Sequence, residues 1–195
     1  MFDRRPAAMI EVEAHLFKTK FSDEDKEVEI QVNPEFSKEE AEAEAKFYGH
    51  YIGRIPISLR TKLETVWIHR GKFVMGGGSN NFLIHTDMGK EYLEKGELDA
   101  SFLHEGVHTS LDPDHLNTEE WQGAIVADGC SVSPYAKKYP QREDMAETFA
   151  AWFMVRHRKN QVEPALYDKI CSKIPHRLAY YDKLNLDLSP NYSMA

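Results

Sequence analysis

The sequence predicts one α+β domain, with a mixed sheet in the first half, a helix bearing the chemistry near the middle, and a mainly helical second half. Three observations lead there. Val28, Ile30 and Val32 alternate with Glu29 and Gln31, the period-two pattern of a strand with one wet face. From Asp87 onward, apolar residues recur at spacings of three and four, the period of helices lying on a core. The chain has 195 residues, 42% hydrophobic and 29% charged, enough to bury one core in two lobes, about 1–110 and about 111–195.

Composition excludes some functions. A net charge of −8 argues against a nucleic-acid backbone as partner. No apolar run approaches the ~20 residues of a membrane span. Met1 to Ile10 carries Arg4 and Arg5 with no apolar stretch behind them, so no signal peptide is visible. Cys130 and Cys171 are open to pairing in an oxidising compartment or to remaining thiols. Oligomeric state is not readable.

The elements follow in order. Ala14 to Phe21 and Val28 to Val32 read as strands joined by a turn at residues 22–25. Ser37 caps a helix with Glu40 three residues on, and Gly53 and Pro56 stop it. Val66 to His69 and Lys72 to Met75 read as a hairpin around Arg70-Gly71. Gly76 to Asn81 lacks the Lys-Ser/Thr ending of a phosphate loop and reads as a mobile loop that can rim a cleft. Phe82, Leu83, Ile84 and His85 run to Thr86 as a short edge strand, suited to binding an extended peptide by backbone pairing. A short helix ends at Gly96, and Glu97 to Leu111 forms the next, with Ala100, Leu103, Val107 and Leu111 as its core stripe. Asp112-Pro113-Asp114 ends it. Thr118 caps a helix over residues 119–127 with Trp121, Ile125 and Val126 facing in. Gly129 to Tyr135 reads as a loop, Arg142 to Arg158 as a long helix, and Val162 to about Ile170 as a last one. From Pro175 the tail is mixed, with Leu178, Tyr180 and Tyr181 packing back and the end fraying.

His104-Glu105-Gly106-Val107-His108 fits H-E-x-x-H, in which one helix supplies two zinc ligands and a catalytic carboxylate. Residues four apart share a helix face, so two imidazoles can converge on one zinc at about 2.0–2.1 Å. Glu105 then projects where it can take a proton from water. Gly106 costs about 1 kcal/mol against Ala in a helix interior and suggests close approach by another backbone.

Zinc with an open position needs a third protein ligand. His115 lies one residue late for a third histidine after a glycine turn. His85 is another imidazole within the same half, more simply read as structural. Glu143-Asp144-Met145-Ala146-Glu147 offers two carboxylates one turn apart on a later helix. Glu143 would bind the metal, and Glu147 would accept the free N–H of a ligand imidazole, fixing its tautomer. The reverse assignment, and a merely solvated helix face, are the alternatives. Asp112 is placed to orient His108 or only to end the helix.

Ser133-Pro134-Tyr135-Ala136 followed by Glu143 to Ala150 resembles the lethal-factor-like metallopeptidases, which include the secreted Pro-Pro endopeptidases. The resemblance spans roughly Phe82 to Val155. It implies a zincin-like fold of the gluzincin type, zinc, secretion and proteolysis, with Tyr135 as the tyrosine that stabilises the oxyanion. Tyr139 stands where that family usually has Asn and is the second candidate. The expected function is therefore a zinc metallopeptidase acting on a peptide or protein. The rival expectations are a zinc-stabilised, inactive peptide-binding domain, a metal-free domain with a chance motif, and a cytoplasmic location.

Overall fold

Six-residue stretches of alternating burial begin the sheet. In this computed structural model, which describes residues 1–23 and 25–190, β3 (His15–Lys20) and β4 (Glu27–Val32) pair antiparallel, with Val28, Ile30 and Val32 buried and Glu27 exposed. Glu24 of the expected turn and the expected frayed end beyond residue 190 lie outside the described residues. A two-strand ribbon, β1 (Phe2–Asp3) with β2 (Ala8–Met9), precedes them. The chain divides into two compact units, Met1–Ser110 with the stretch from Asp187, and Leu111–Leu186.

The first unit is mixed α/β. After β4, Ser37 opens α1 (Lys38–Arg54) with the capping box the sequence announces: its hydroxyl accepts from Glu40 N, and Glu40 reaches back to Ser37 N at 2.8 Å. This helix is a crossover, so β5 (Thr65–His69) lies parallel to β4. The hairpin expected at residues 66–75 does not form. Lys72 to Met75 is no strand, and β5 pairs instead, in parallel, with β7 (Asn81–His85). The glycine loop is likewise corrected: Gly76–Gly78 is β6, antiparallel to β7, in the order β3-β4-β5-β7-β6. β7 is therefore an interior strand. Phe82, Leu83, Ile84 and His85 are all buried, both edges of their strand are paired, and they cannot seat a peptide as expected. The edge is β6.

Rows of apolar side chains cross the sheet, Ile30–Val66–Phe82 and Val32–Ile68–Ile84, all at 1% exposure or less. Removing such side chains from water contributes about 1.5–3 kcal/mol each. α2 (Thr86–Glu94) and α3 (Leu98–Ser110) follow β7. Phe102 of α3 meets Phe82 at 5.8 Å and Tyr48 of α1 at 6.3 Å, which puts α1 and α3 over the same side of the sheet. A 3₁₀ turn at Ile57–Leu59 packs against α3. That turn is tied to the far end of the chain: Ile57 N–H donates to the Ser189 carbonyl at 2.8 Å and Ser58 N–H to the Asp187 carbonyl at 3.1 Å.

The second unit is helical: α4 (Asp112–His115), α5 (Glu119–Asp128), α6 (Pro134–Lys138), α7 (Pro140–His157), α8 (Pro164–Lys173) and α9 (Pro175–Lys183). Thr118 caps α5 as expected, but Val126 is 79% exposed and only Trp121 and Ala124 are buried there. The expected loop at 129–135 holds as far as Ser133 and then turns into helix at Pro134, because Ser133 accepts from Ala136 N and Pro134 suits a first turn. The mixed tail is α9, and Leu178, Tyr180 and Tyr181 are buried as expected. Cys130 and Cys171 are free thiols; Cys130 donates to the Lys173 carbonyl at 3.1 Å.

Candidate metal centre

α3 buries Leu98, Phe102, Leu103, Gly106, Val107 and Thr109, which leaves His104, Glu105 and His108 half-buried on the adjoining face. Ala100, expected in the core stripe, is exposed, while Leu103, Val107 and Leu111 are buried as expected; Leu98, Phe102, Gly106 and Thr109 widen the buried face. Two close approaches set the height of this helix. A Cβ on Gly106 would lie 2.8 Å from Leu59 Cβ and 3.0 Å from the Leu59 carbonyl oxygen. A Cβ on Gly77 would lie 2.1 Å from the carbonyl oxygen of Glu105, so β6 rests directly on the backbone of the motif. Thr109 joins the two elements: its hydroxyl accepts from Gly78 N–H at 2.9 Å and has the carbonyls of Glu105 at 2.9 Å and Asn81 at 3.1 Å within donating reach. Gly77 and Thr109 were not singled out in the sequence; the run of three glycines was the visible signal.

Nε2 of His104 and Nε2 of His108 stand 3.1 Å apart, their ring planes at 80°. Two nitrogens at zinc-ligand distance in a tetrahedron would be about 3.3 Å apart. Among the described residues one group of three can hold a metal ion, a ligand atom from each of His104, His108 and Glu143 lying within 4.8 Å of the others.

In the second unit, α7 presents Glu143 at 2% exposure, which removes the solvated-face reading for this residue. Arg142 donates to it at 3.1 Å. Glu147, one turn on, is half-buried. Tyr135, on α6, is 46% exposed; burial and the charge of Glu143, with a hydrogen bond to that carboxylate, raise its phenol above the ordinary value. Tyr139 packs edge-on to Tyr135 at 5.4 Å and has Lys138 at 4.9 Å from its ring centroid. Of the two tyrosines, Tyr135 is thus the one whose phenol is raised by the Glu143 carboxylate.

The remaining candidates are placed elsewhere. His115 Nδ1 shares a hydrogen bond with the Tyr180 hydroxyl at 2.9 Å and is outside the metal-capable group. His85 is fully buried, stacked on His69 at 5.4 Å and 3.5 Å from Asp3. Asp112 opens α4, and its charge, after burial, is among the causes that raise the Tyr181 phenol.

Asp144, beside Glu143, has a role the sequence did not show. Its carboxylate takes two hydrogen bonds from the buried Arg177, at 2.8 and 3.1 Å. Arg177 also reaches Asp128 at 3.1 Å and the Cys130 carbonyl at 2.7 Å. Asp128 in turn accepts from the backbone N–H groups of His176 and Arg177 at the start of α9. One guanidinium therefore ties α7 to α9 and α5. No family model, curated protein or solved structure matches the chain.

Proposed function

We propose that the protein is a zinc-dependent metallopeptidase of zincin-like fold, of the lethal-factor-like kind that its motifs resemble. The observation that carries this is the convergence of two imidazole nitrogens 3.1 Å apart with a buried carboxylate. Two nitrogens and one oxygen form a donor set that suits zinc and leaves a fourth position open. His104, His108 and Glu143 would hold the ion. When bound, the metal supplies Lewis acidity, polarising a carbonyl and bringing the pKa of a coordinated water to about 7.

The rest falls to the chain's own groups. Glu105 takes the proton of the attacking water and delivers it to the departing amine nitrogen. Tyr135 donates its O–H to the oxyanion developing on the scissile carbonyl, a task for the protonated phenol, the form a tyrosine already has near neutral pH. Glu147 orients a ligand imidazole. A peptide or protein is the substrate, and secretion belongs to the same proposal.

The test is Glu105→Gln. The variant is expected to bind one zinc per chain and to lose turnover of a peptide library by about 10²–10⁴-fold, the usual worth of a general base. Unchanged turnover would reject the mechanism. Stoichiometric zinc in a wild-type protein that cuts no library peptide would turn the assignment to the inactive peptide-binding domain.

A further inference from the structure

Residues 129–142 run from the end of α5 across α6 into the first turn of α7. They carry Lys137, Lys138 and Arg142 and no Asp or Glu. The acidic residues on either side are both withdrawn from solvent. The Asp128 side chain is buried against Arg177, and Glu143 is 2% exposed. In a chain of 32 acidic against 24 Lys and Arg residues, this is a stretch whose exposed charge is all positive.

Two of these cations share a seat. α6 buries Ala136 and leaves Tyr135, Lys137 and Lys138 exposed, with Tyr139 exposed just beyond it. Lys138 Nζ lies 4.9 Å and Arg142 Cζ 5.9 Å from the centroid of the Tyr139 ring, within the range of a cation–π contact. Among the described residues neither lysine is in an ion pair, and Lys137 lies over no ring. The Arg142 side chain is 74% exposed and gives one nitrogen, Nη2, to Glu143. Its Nε and Nη1 have no partner among the described residues. Two positive charges gathered at one ring, with donors to spare, suit the two oxygens of a carboxylate. Their place matters too. Tyr139 packs edge-on to Tyr135 at 5.4 Å, and Tyr135 is the phenol assigned to the scissile carbonyl.

We propose that Lys138 and Arg142, seated on Tyr139, bind a carboxylate side chain, so that the protein selects peptides with Asp or Glu near the scissile bond. At about 3.3–3.6 Å per extended residue, that side chain falls within about three positions of the bond. As a statement about cleavage this rests on the metallopeptidase reading; the carboxylate seat itself needs no metal. Lys138 and Arg142 are specificity residues, and neither is assigned a step in the reaction.

The test uses the full-length, zinc-loaded chain carrying Glu105→Gln, immobilised, so that retention is read without cutting. Pools of nine-residue peptides place Asp or Glu at each position in turn, and matched pools carry Asn or Gln there. Retained peptides are quantified by mass spectrometry. The acidic pools are expected to be held about fivefold better, the upper worth of an exposed charge pair. Lys138→Gln should lower the preference and Lys138→Glu remove it. Tyr139→Leu keeps both charges, takes away their seat, and should weaken it. Lys137→Glu makes the same change in net charge one residue away from the ring and should leave it nearly intact. Equal retention of acidic and amide pools by the parent overturns the proposal. So does a loss as large with Lys137→Glu as with Lys138→Glu, since that is diffuse attraction and no seat. Wild-type cleavage of the same pools is measured separately. Cutting with no preference for acidic peptides removes this inference and leaves the peptidase. Retention that depends on Lys138, with no cutting by the wild type, removes the peptidase and leaves the carboxylate seat.

Discussion

The helices α3 and α7 each offer candidate metal ligands, yet each is held within its own unit by different physics. α3 is positioned by absence of volume: Gly106 lets it settle onto Leu59, and Gly77 lets β6 settle onto Glu105. α7 is positioned by what is present. Arg177 grips Asp144, Tyr181 donates to the Met145 carbonyl at 2.9 Å, and Phe149, Trp152 and Tyr181 pack ring to ring at 5.4–5.7 Å. Close packing against backbone tolerates little added volume, while a buried ion pair tolerates little loss of a partner. The two units should therefore fail under opposite kinds of substitution.

The largest expected effect is in the second unit. Arg177→Met leaves Asp144 and Asp128 buried without their guanidinium, and should cost about 3–5 kcal/mol of that unit's stability in chemical unfolding. Adding Asp144→Leu and Asp128→Asn should recover part of the loss; no recovery would mean that α7 is held by its aromatic packing alone. Burial already pushes the Asp144 carboxyl above its ordinary value despite Arg177, so desolvation dominates there.

A mid-sized effect separates the units by pH. Burial lowers His69 to about 4 from an ordinary 6.5; its Nε2 is bonded to the Phe2 carbonyl at 3.0 Å and its Nδ1 to Asn33 at 3.1 Å. The unfolded chain takes up a proton that the folded imidazole resists. The first unit should keep its full stability above pH 6.5 and lose up to about 3 kcal/mol as pH falls to about 4. His85, also lowered by burial, acts in the same direction. His69→Gln should flatten the slope of unfolding free energy against pH over that window; an unchanged slope would place the acid sensitivity elsewhere.

The smallest is Gly106→Ala. One added methyl meets Leu59 at 2.8 Å, and overpacking of this kind costs about 1–3 kcal/mol, against about 1 kcal/mol gained in helix propensity. A net loss of about 1 kcal/mol, with zinc affinity reduced as His104 and His108 shift, would confirm that vacancy sets the height of α3. A net gain in stability would show that Leu59 yields.

What could be read from the sequence was what neighbours in the chain decide. Ser37 with Glu40, Thr118 ahead of α5 and the four-residue spacing of His104 and His108 are local devices, and each has the structure its spacing implies. Distant pairing was not legible. β6 has no strand-forming side chain and exists because β7 lies beside it. β7 read as an edge because nothing in Asn81 to His85 says that two strands flank it; five consecutive buried residues are the mark of an interior strand, and burial is a property of the fold. For the same reason Glu143 could not be told from Glu147 by spacing, while their burial differs. Arg177, 33 residues from Asp144, carried no signal at all.

The bonds from Ile57 and Ser58 to Ser189 and Asp187 make the first unit discontinuous, with the whole helical unit threaded between its two parts. A nascent chain thus synthesises its final clasp only after the second unit is complete. A product clipped at Leu186 would retain His104, His108 and Glu143 yet release the 3₁₀ turn on which Gly106 rests. Carboxy-terminal trimming would then loosen the seat of His104 and His108 without touching either side chain, from a segment more than 70 residues beyond them in the chain.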